Sequence, residues 1–188
     1  GEAHSRTDIR IPEIQRKFVA RLHKLNKPLA LVVFGGRPLA LGDVEKLADA
    51  ILYVWQPGTE GGNAIANLLY GKANPCGKTV MSFPRSVGQC PIYYNHFSTA
   101  RPKRKDVPSF YSDERFRTGY DDEYNSPLYP FGYGLSYTEF GYSEFKLSAA
   151  KFNRDGIITA SVKVKNVGKT DGYEIVQWYL RDLLASVV

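Results

Sequence analysis

The stretch that decides the fold begins with Leu29-Ala30-Leu31-Val32-Val33-Phe34, an unbroken apolar run closed by two glycines. Such a run is typical of a strand that is buried on both faces, as in a parallel sheet. Similar runs cover residues 50–55 and 78–83, and residues 43–49 and 63–70 between them have helical spacing. Because short apolar strands alternate with helices, the sequence predicts crossover connections and a mostly parallel sheet flanked by helices, which is an α/β fold.

Two further features concern helix starts. Asp43 opens the helix after the first strand, and its carboxylate is placed to cap the free N–H groups of the first turn. Upstream of the stretch, Pro12 suits the first turn of another helix, where a missing N–H costs nothing. That helix is predicted to be amphipathic, because four apolar residues share one face: Ile14, Phe18, Leu22 and Leu25.

The pattern changes twice after Pro84. Residues 85–134 contain many Tyr, Phe, Pro and Gly residues with little periodicity. A long aromatic loop of this kind either builds a site or packs over the sheet, and both interpretations stay open. Beyond residue 138 the apolar residues recur with a period of two, and apolar and polar residues alternate at residues 145–149, 158–165 and 173–180. We therefore predict an α/β domain over residues 1–138 and an incomplete β-sandwich over residues 139–188.

Composition argues against several classes of protein. With 188 residues, of which 43% are apolar, the chain can build an ordinary core. The net charge of +6 does not indicate nucleic-acid binding, because the basic residues are scattered apart from a cluster at 101–105 that is typical of a solvated loop. No run approaches the ~20 apolar residues of a membrane span. Cys76 and Cys90 lack metal-ligand spacing, so no metal site is predicted, and a disulfide between them is left open.

Taken by themselves, the residues contain no complete catalytic set. The turn at residues 58–62 lacks the Gly-Lys-Ser/Thr ending of a phosphate loop, which argues against a flavodoxin-like nucleotide-binding domain. Glu2 is a carboxylate in a loop with His4 and Arg6, and the alternative is that it is merely solvated. Trp55 ends a predicted strand, where the crevice of a parallel sheet forms. It is a candidate for stacking on a sugar ring, with packing in the core as the alternative.

Four motifs resemble those of the family 3 glycoside hydrolases, which include periplasmic β-glucosidases of bacteria, and they occur in the same order. They are Trp55-Gln56-Pro57-Gly58-Thr59-Glu60-Gly61-Gly62-Asn63-Ala64, Asn74-Pro75-Cys76-Gly77-Lys78, Ser82-Phe83-Pro84 and Pro130-Phe131-Gly132-Tyr133-Gly134-Leu135-Ser136-Tyr137-Thr138. The resemblance implies an N-terminal (β/α)8 barrel with an Asp nucleophile, a second α/β domain with the acid/base Glu, and a fibronectin type III-like third domain. This chain is then most of the second domain and the start of the third.

The beginning of the chain resembles the family's acid/base loop, in which a Glu is followed four residues later by an Arg. The resemblance implies that Glu2 is the general acid/base and that Arg6 and Trp55 bind substrate. A retaining glycosidase needs this second carboxyl about 5–5.5 Å from the nucleophile, first as an acid and then as a base. Because the barrel and its nucleophile are absent from these residues, we expect the 188-residue chain alone to be inactive.

The leading hypothesis is the C-terminal portion of a retaining exo-β-glucosidase that is periplasmic or secreted. Its partners would be a β-glucoside or oligosaccharide substrate and the missing N-terminal barrel, with no cofactor, no nucleic acid and no membrane span. The sequence leaves a homodimer open. The alternative, from another functional class, is a carbohydrate-binding or interaction module without activity that uses the aromatic loop.

Overall fold

The computed structural model describes residues 3–97, 99–151, 153 and 155–185. Within them the helices and strands follow in the order α1 (Glu13–His23), β1 (Ala30–Phe34), α2 (Gly42–Glu45), β2 (Ala50–Trp55), α3 (Gly61–Leu69), β3 (Phe140–Leu147) and β4 (Ala160–Asn166). Short 3-10 helices cover Val87–Gln89 and Ser109–Tyr111. The chain therefore contains an α/β region with a few strands and helices, as the alternation of periods predicts.

The chain divides into two compact units. The first unit takes residues 1–61, 78–133 and 177–188, and the second takes residues 62–77 and 134–176. The domain boundary between residues 138 and 139 stays a prediction, and so does the fibronectin type III-like sandwich.

The sheet of the first unit is formed by β1 and β2, which pair in parallel. Ala30 lies opposite Ala50, and the register shifts after Val33 so that Phe34 lies opposite Trp55. Parallel pairing places the carboxyl ends of both strands at one edge, where Gly35 donates a 3.3 Å hydrogen bond from its backbone N–H to the carbonyl oxygen of Trp55. A wider parallel sheet flanked by helices stays a prediction.

The prediction of a third strand in the α/β region is wrong. Residues 78–83 form no strand and are tied instead to the segment 128–133. The backbone N–H of Phe83 donates to the carbonyl of Tyr129 at 2.8 Å, and that of Thr79 donates to the carbonyl of Tyr133 at 2.7 Å. The later segment contains Pro130, which has no backbone N–H, so a continuous ladder cannot form and only an isolated antiparallel bridge remains.

The core of the first unit is small and centred on four buried side chains: Val19, Leu41, Val44 and Phe83. The apolar stripe predicted for α1 lies largely outside it, since Ile14 and Phe18 are 74% and 60% exposed, and Leu25, which lies beyond the end of the helix, is 62% exposed. Val19, beside that stripe, is the α1 residue that packs into the core. The described residues offer α1 one packing surface, and the remaining apolar face of the helix is open.

The capping role predicted for Asp43 is also wrong. Leu41 is the N-cap residue of the four-residue helix α2, and Asp43 lies inside its first turn. The carboxylate of Asp43 accepts a 2.6 Å hydrogen bond from the guanidinium of Arg16 on α1. Both groups of this pair are ionised, so the short charge-assisted hydrogen bond holds the Asp43 carboxylate against α1.

The second unit contains the antiparallel pair β3 and β4. Phe140 lies opposite Asn166 and Leu147 opposite Ala160, with an irregularity between Ser143 and Lys146. The burial of β4 alternates with the predicted period of two, whereas β3 is exposed from Tyr142 onward. The third segment of that prediction, residues 173–180, forms no strand, which corrects the expectation of three antiparallel strands. The alternation there predicts a strand only if a partner ladder is available, and from residue 177 onward the chain belongs to the first unit.

Candidate active site

The loop that begins the chain is attached to the first unit at residues 8–11. The backbone N–H of Ala40 donates to the carbonyl of Ile9 at 3.2 Å, and Arg10 forms a parallel bridge with Ala40. Glu2, the predicted acid/base, lies outside the described residues. Arg6 is exposed and makes no hydrogen bond to a described residue. The loop is therefore held at its root, just ahead of α1.

Charged side chains hold this root. The Arg10 guanidinium donates to both carboxylate oxygens of Asp8, at 3.0 Å from Nε and 2.8 Å from Nη2. Asp43 lies 3.7 Å from Arg10 and 2.6 Å from Arg16, so it connects the loop to α1. The side-chain hydrogen bond from Arg10, reinforced by the backbone N–H of Arg10, holds the pKa of the Asp8 carboxyl well below its usual range. Sequence reasoning missed this network, although an Asp two residues before an Arg is a recognisable local pair.

The carboxyl edge of the sheet carries Trp55. Its backbone has φ +52°, a left-handed conformation that is unusual for a bulky residue and that occurs often at functional sites. Its ring packs edge-to-face on Tyr53 at 4.9 Å and on Phe83 at 5.8 Å between centroids. The side chain is half-buried, so one part of the ring packs on the core and the rest remains accessible.

A second aromatic residue shapes the same edge. The Tyr53 hydroxyl donates a 2.5 Å hydrogen bond to the carbonyl of Arg37, and a Cβ on Gly35 would overlap the Tyr53 hydroxyl. Gly35 is thus the residue that allows the tyrosine to lie across the end of β1. Burial raises the pKa of the Tyr53 phenol to about 12, so this side chain is neutral across the physiological range.

The aromatic loop is anchored by Gln89, which is 2% exposed. Its amide oxygen accepts the backbone N–H of Arg85 at 2.6 Å, and its amide nitrogen donates to the carbonyls of Tyr124 at 2.6 Å and Ser126 at 3.2 Å. The Arg85 guanidinium donates to the Ser126 carbonyl at 3.0 Å and lies 4.8 Å above the Tyr124 ring. Gln89 and Arg85 therefore hold the start of the loop against residues 124–126, although the loop has almost no regular secondary structure.

Further carboxylates organise the loop from within. Asp106 accepts the backbone N–H groups of Asn125 at 2.7 Å and Ser126 at 3.1 Å. Partial burial raises the pKa of Asp106, but these hydrogen bonds outweigh it and leave the pKa below its ordinary value. Glu114 accepts the backbone N–H of Arg104 at 3.0 Å. Aromatic side chains are left exposed on this ordered loop: Phe110, Tyr111 and Phe116.

Comparison of the sequence with models of known protein families assigns the chain to a family of carbohydrate-active proteins. The model of the glycosyl hydrolase family 3 C-terminal domain matches residues 1–137. The chain is a member of glycosyl hydrolase family 3. This confirms the family indicated by the four motifs.

Individual family 3 relatives match along nearly the whole chain. The chain is 53% identical over 186 residues to the periplasmic β-glucosidase of Salmonella typhimurium, which covers 99% of this chain and 24% of that protein. It is 39% identical to a β-xylosidase of Formosa agariphila, over 100% of this chain and 24% of that one. The crystal structure of a β-glucosidase from Listeria innocua with isofagomine matches at a TM-score of 0.81 and 42% identity, over 89% of this chain and 23% of that one. The chain thus spans about a quarter of the length of these relatives.

Two of the family 3 motifs meet in the second unit. The Asn74 side-chain oxygen accepts the backbone N–H of Tyr137 at 2.7 Å, and its amide nitrogen donates to the Ser136 hydroxyl at 2.9 Å. The Tyr137 hydroxyl donates to the carbonyl of Leu68 in α3 at 3.0 Å. These contacts give the motifs a structural role. Cys76, in the same motif as Asn74, is a free thiol, as is Cys90, so the disulfide left open by the sequence is not formed.

The described residues show neither a cluster of metal-binding side chains nor a helix that could span a membrane. They contain no group of three or more His, Cys, Asp or Glu side chains that could hold a metal ion. None of their helices is long and apolar enough to cross a membrane.

Replacing the loop anchor Gln89 with leucine is expected to lower the free energy of unfolding of this family 3 domain by about 1–3 kcal/mol. Leucine fills a similar space but leaves the Arg85 N–H and the Tyr124 carbonyl without their 2.6 Å partners. Urea unfolding measures the loss, and limited proteolysis should show faster cleavage within residues 101–126. Gln15→Leu, at an exposed position of α1, is the control and should change stability by less than about 0.5 kcal/mol. Equal behaviour of the two variants would contradict the anchoring role.

Proposed function

We propose that this chain is the C-terminal portion of a retaining exo-β-glucosidase. One observation carries the proposal: nearly the whole chain aligns, at 53% identity, with a protein named periplasmic β-glucosidase. In the proposed enzyme a barrel outside these residues bears an Asp nucleophile, and Glu2 is the general acid/base. Residues 139–188 begin a fibronectin type III-like third domain.

The acid/base role of Glu2 is supported by the construction of the loop root. In a retaining mechanism the same carboxyl protonates the leaving oxygen and then deprotonates a water molecule, so it must return to one position in both steps. The ion pairs of Asp8 and Asp43 fix the root of the loop six residues after Glu2. A loop whose root is held at Asp8 suits a carboxyl that must return to one position at the boundary with another domain.

Substrate contacts are assigned to Arg6 and Trp55. Arg6 is an exposed cation whose side chain has no hydrogen-bond partner in the described part of the chain. Trp55 presents part of its ring at the carboxyl edge of the parallel strands, the usual position of ligand crevices in α/β sheets. The exposed rings of the anchored aromatic loop face the barrel and the sugar in this proposal.

The proposed sugar is a terminal β-D-glucosyl residue. A β-xylosidase is also among the relatives, so terminal xylose is the second candidate. The location is proposed to be periplasmic or secreted, in keeping with the name of the Salmonella relative. A non-catalytic carbohydrate-binding module is the competing function, and a homodimer stays a prediction.

The test compares this chain with a full-length protein that includes the N-terminal region of the relatives. The full-length protein is expected to cleave an aryl β-glucoside faster than an aryl β-xyloside, with retention of configuration by NMR. The 188-residue chain alone is expected to be inactive, because a lone carboxyl cannot run a double displacement. Hydrolysis by the isolated chain that is abolished by Glu2→Gln would contradict the two-domain site, and inactivity of a folded full-length protein would favour the binding module.

A further inference from the structure

The first unit contains a cavity of about 480 Å³ lined by aromatic side chains, and its volume lies within the range of small-molecule sites. Tyr94 stacks on Phe131 with ring centroids 4.9 Å apart and planes inclined by 22°. Tyr179 meets Tyr94 edge-to-face at 6.1 Å. Three packed rings thus form one continuous apolar wall.

The wall is held in place before any ligand arrives. The Tyr179 hydroxyl donates a 2.5 Å hydrogen bond to the side-chain oxygen of Gln177, whose amide nitrogen donates to the carbonyl of Gly132 at 2.8 Å. Gly132 has φ +79°, and a Cβ there would overlap both Gln177 and Tyr179. A glycine next to Phe131 is therefore what lets Tyr179 reach the stack.

Polar groups that keep hydrogen-bonding capacity unused by the described residues line the same cavity. Ser82 is 8% exposed, yet its hydroxyl makes no hydrogen bond to a described residue. The Arg181 guanidinium likewise has neither a hydrogen bond nor an ion pair in the part of the chain that the structure describes. His96 Nδ1 lies 2.9 Å from the Phe97 carbonyl oxygen, and in the tautomer that donates from Nδ1 to this oxygen the Nε2 atom is an acceptor.

A sugar ring matches this combination of groups. One face of a pyranose is a set of C–H bonds that packs on an aromatic ring, and its edge is a set of hydroxyls that both donate and accept hydrogen bonds. Ser82 and Arg181 supply donors, and His96 supplies an acceptor. We propose that this cavity binds one or two neutral pyranose rings of a β-linked glucose oligosaccharide, with Tyr94 and Tyr179 as the stacking surface. The choice of glucose rests on the proposed function, whereas the pyranose class rests on the cavity.

The test is titration of the 188-residue chain with cellobiose and with methyl β-D-glucopyranoside, followed by amide NMR shifts. Shifts are expected at residues 93–96, 130–132 and 177–181. Tyr94→Ala and Tyr179→Ala should each weaken binding by about tenfold, because each removes a ring face. Ser82→Ala should weaken it by about three- to tenfold through loss of one hydroxyl. Tyr70→Ala, at an 82% exposed tyrosine of the second unit, is the matched control and should leave affinity unchanged.

A conservative variant and a second ligand still test the proposal if an alanine variant unfolds. Tyr94→Phe retains the ring and should bind like the parent chain. Cyclohexanol, an apolar ring with a single hydroxyl, should bind at least about tenfold more weakly than the glucoside, since it satisfies few of the free polar groups. Three results would overturn the proposal. They are equal affinity for cyclohexanol and the glucoside, higher affinity for methyl β-glucuronoside than for the glucoside, or amide shifts that remain the same in all the cavity variants. Binding is read without hydrolysis, so a failure here is separate from a failure of the acid/base role of Glu2.

Discussion

Glu2→Ala in the full-length protein is expected to slow hydrolysis of substrates with poor leaving groups by about 10²–10⁴-fold, the usual contribution of a positioned general acid. Aryl glucosides with good leaving groups, such as dinitrophenolate, should lose much less in the first step, because their oxygen needs little protonation. The selectivity of the loss, measured as kcat/KM across a series of aryl glucosides of rising leaving-group pKa, therefore identifies the acid.

Azide supplies the second half of this test. Azide is a small anionic nucleophile that needs no general base, so it should restore turnover of Glu2→Ala by attacking the glycosyl-enzyme and forming a β-glycosyl azide. Glu13→Ala is the matched control, because Glu13 is an exposed carboxylate of α1 whose ion pair within the described part of the chain is with Lys17. A loss that is uniform across leaving groups, with no azide product, would rule out Glu2 as the acid/base. Glu60, in the turn after β2, would then be the next carboxylate to replace.

Phe83→Ala is expected to lower the free energy of unfolding by about 3–5 kcal/mol, as for other buried aromatic side chains replaced by alanine. Phe83 is 1% exposed, and its ring centroid lies 4.9 Å from that of Tyr53 and 6.0 Å from that of Tyr129. The loss is a large part of the roughly 5–15 kcal/mol that a domain has in total. The cavity would also remove the surface on which Trp55 packs, so the variant should change Trp fluorescence.

Urea unfolding followed by circular dichroism measures this loss, with the slope m unchanged if the transition remains two-state. Phe110→Ala is the matched control, because that phenylalanine is 72% exposed in the aromatic loop and should cost less than about 0.5 kcal/mol. Phe83→Leu should give a smaller loss than alanine and provides a measurable variant if alanine does not fold. A loss below about 1 kcal/mol for Phe83→Ala would show that the Phe83 ring and its contacts with Tyr53 and Tyr129 are not the centre of the core.

The apolar face of α1 shows that a helical period in the sequence does not by itself lead to burial. Ile14 and Phe18 follow the helical period that predicts a packed face, yet each is more than half exposed. Hydrophobic period is a property of the sequence, but burial needs a partner surface, and this chain spans about a quarter of its relatives' length. The apolar period correctly predicted the helix, but the described residues do not bury this face of it.

Elements with a strong local signal could be predicted from the sequence. α1, β1, β2 and α3 follow from apolar period and from Pro or Gly at their ends, and β3 and β4 follow from alternation. The family followed from motifs that need no structure. The predictions for residues 78–83, residues 173–180 and Asp43 failed because each depends on a partner that is distant in sequence. A strand requires a ladder, and a capping carboxylate competes with any arginine that the fold brings near.

The sequence by itself thus determined the helices, the parallel strand pair and membership of family 3, because these depend on local period, turn residues and short motifs. Only the tertiary structure decided that Gln89 anchors the aromatic loop, that Asp43 connects Arg10 to Arg16, and that Tyr94, Phe131 and Tyr179 form one wall. These contacts join residues tens of positions apart. The sequence sets how far apart two residues lie along the chain. Packing around Phe83 and the hydrogen bonds of the buried Gln89 amide set how far apart they lie in space.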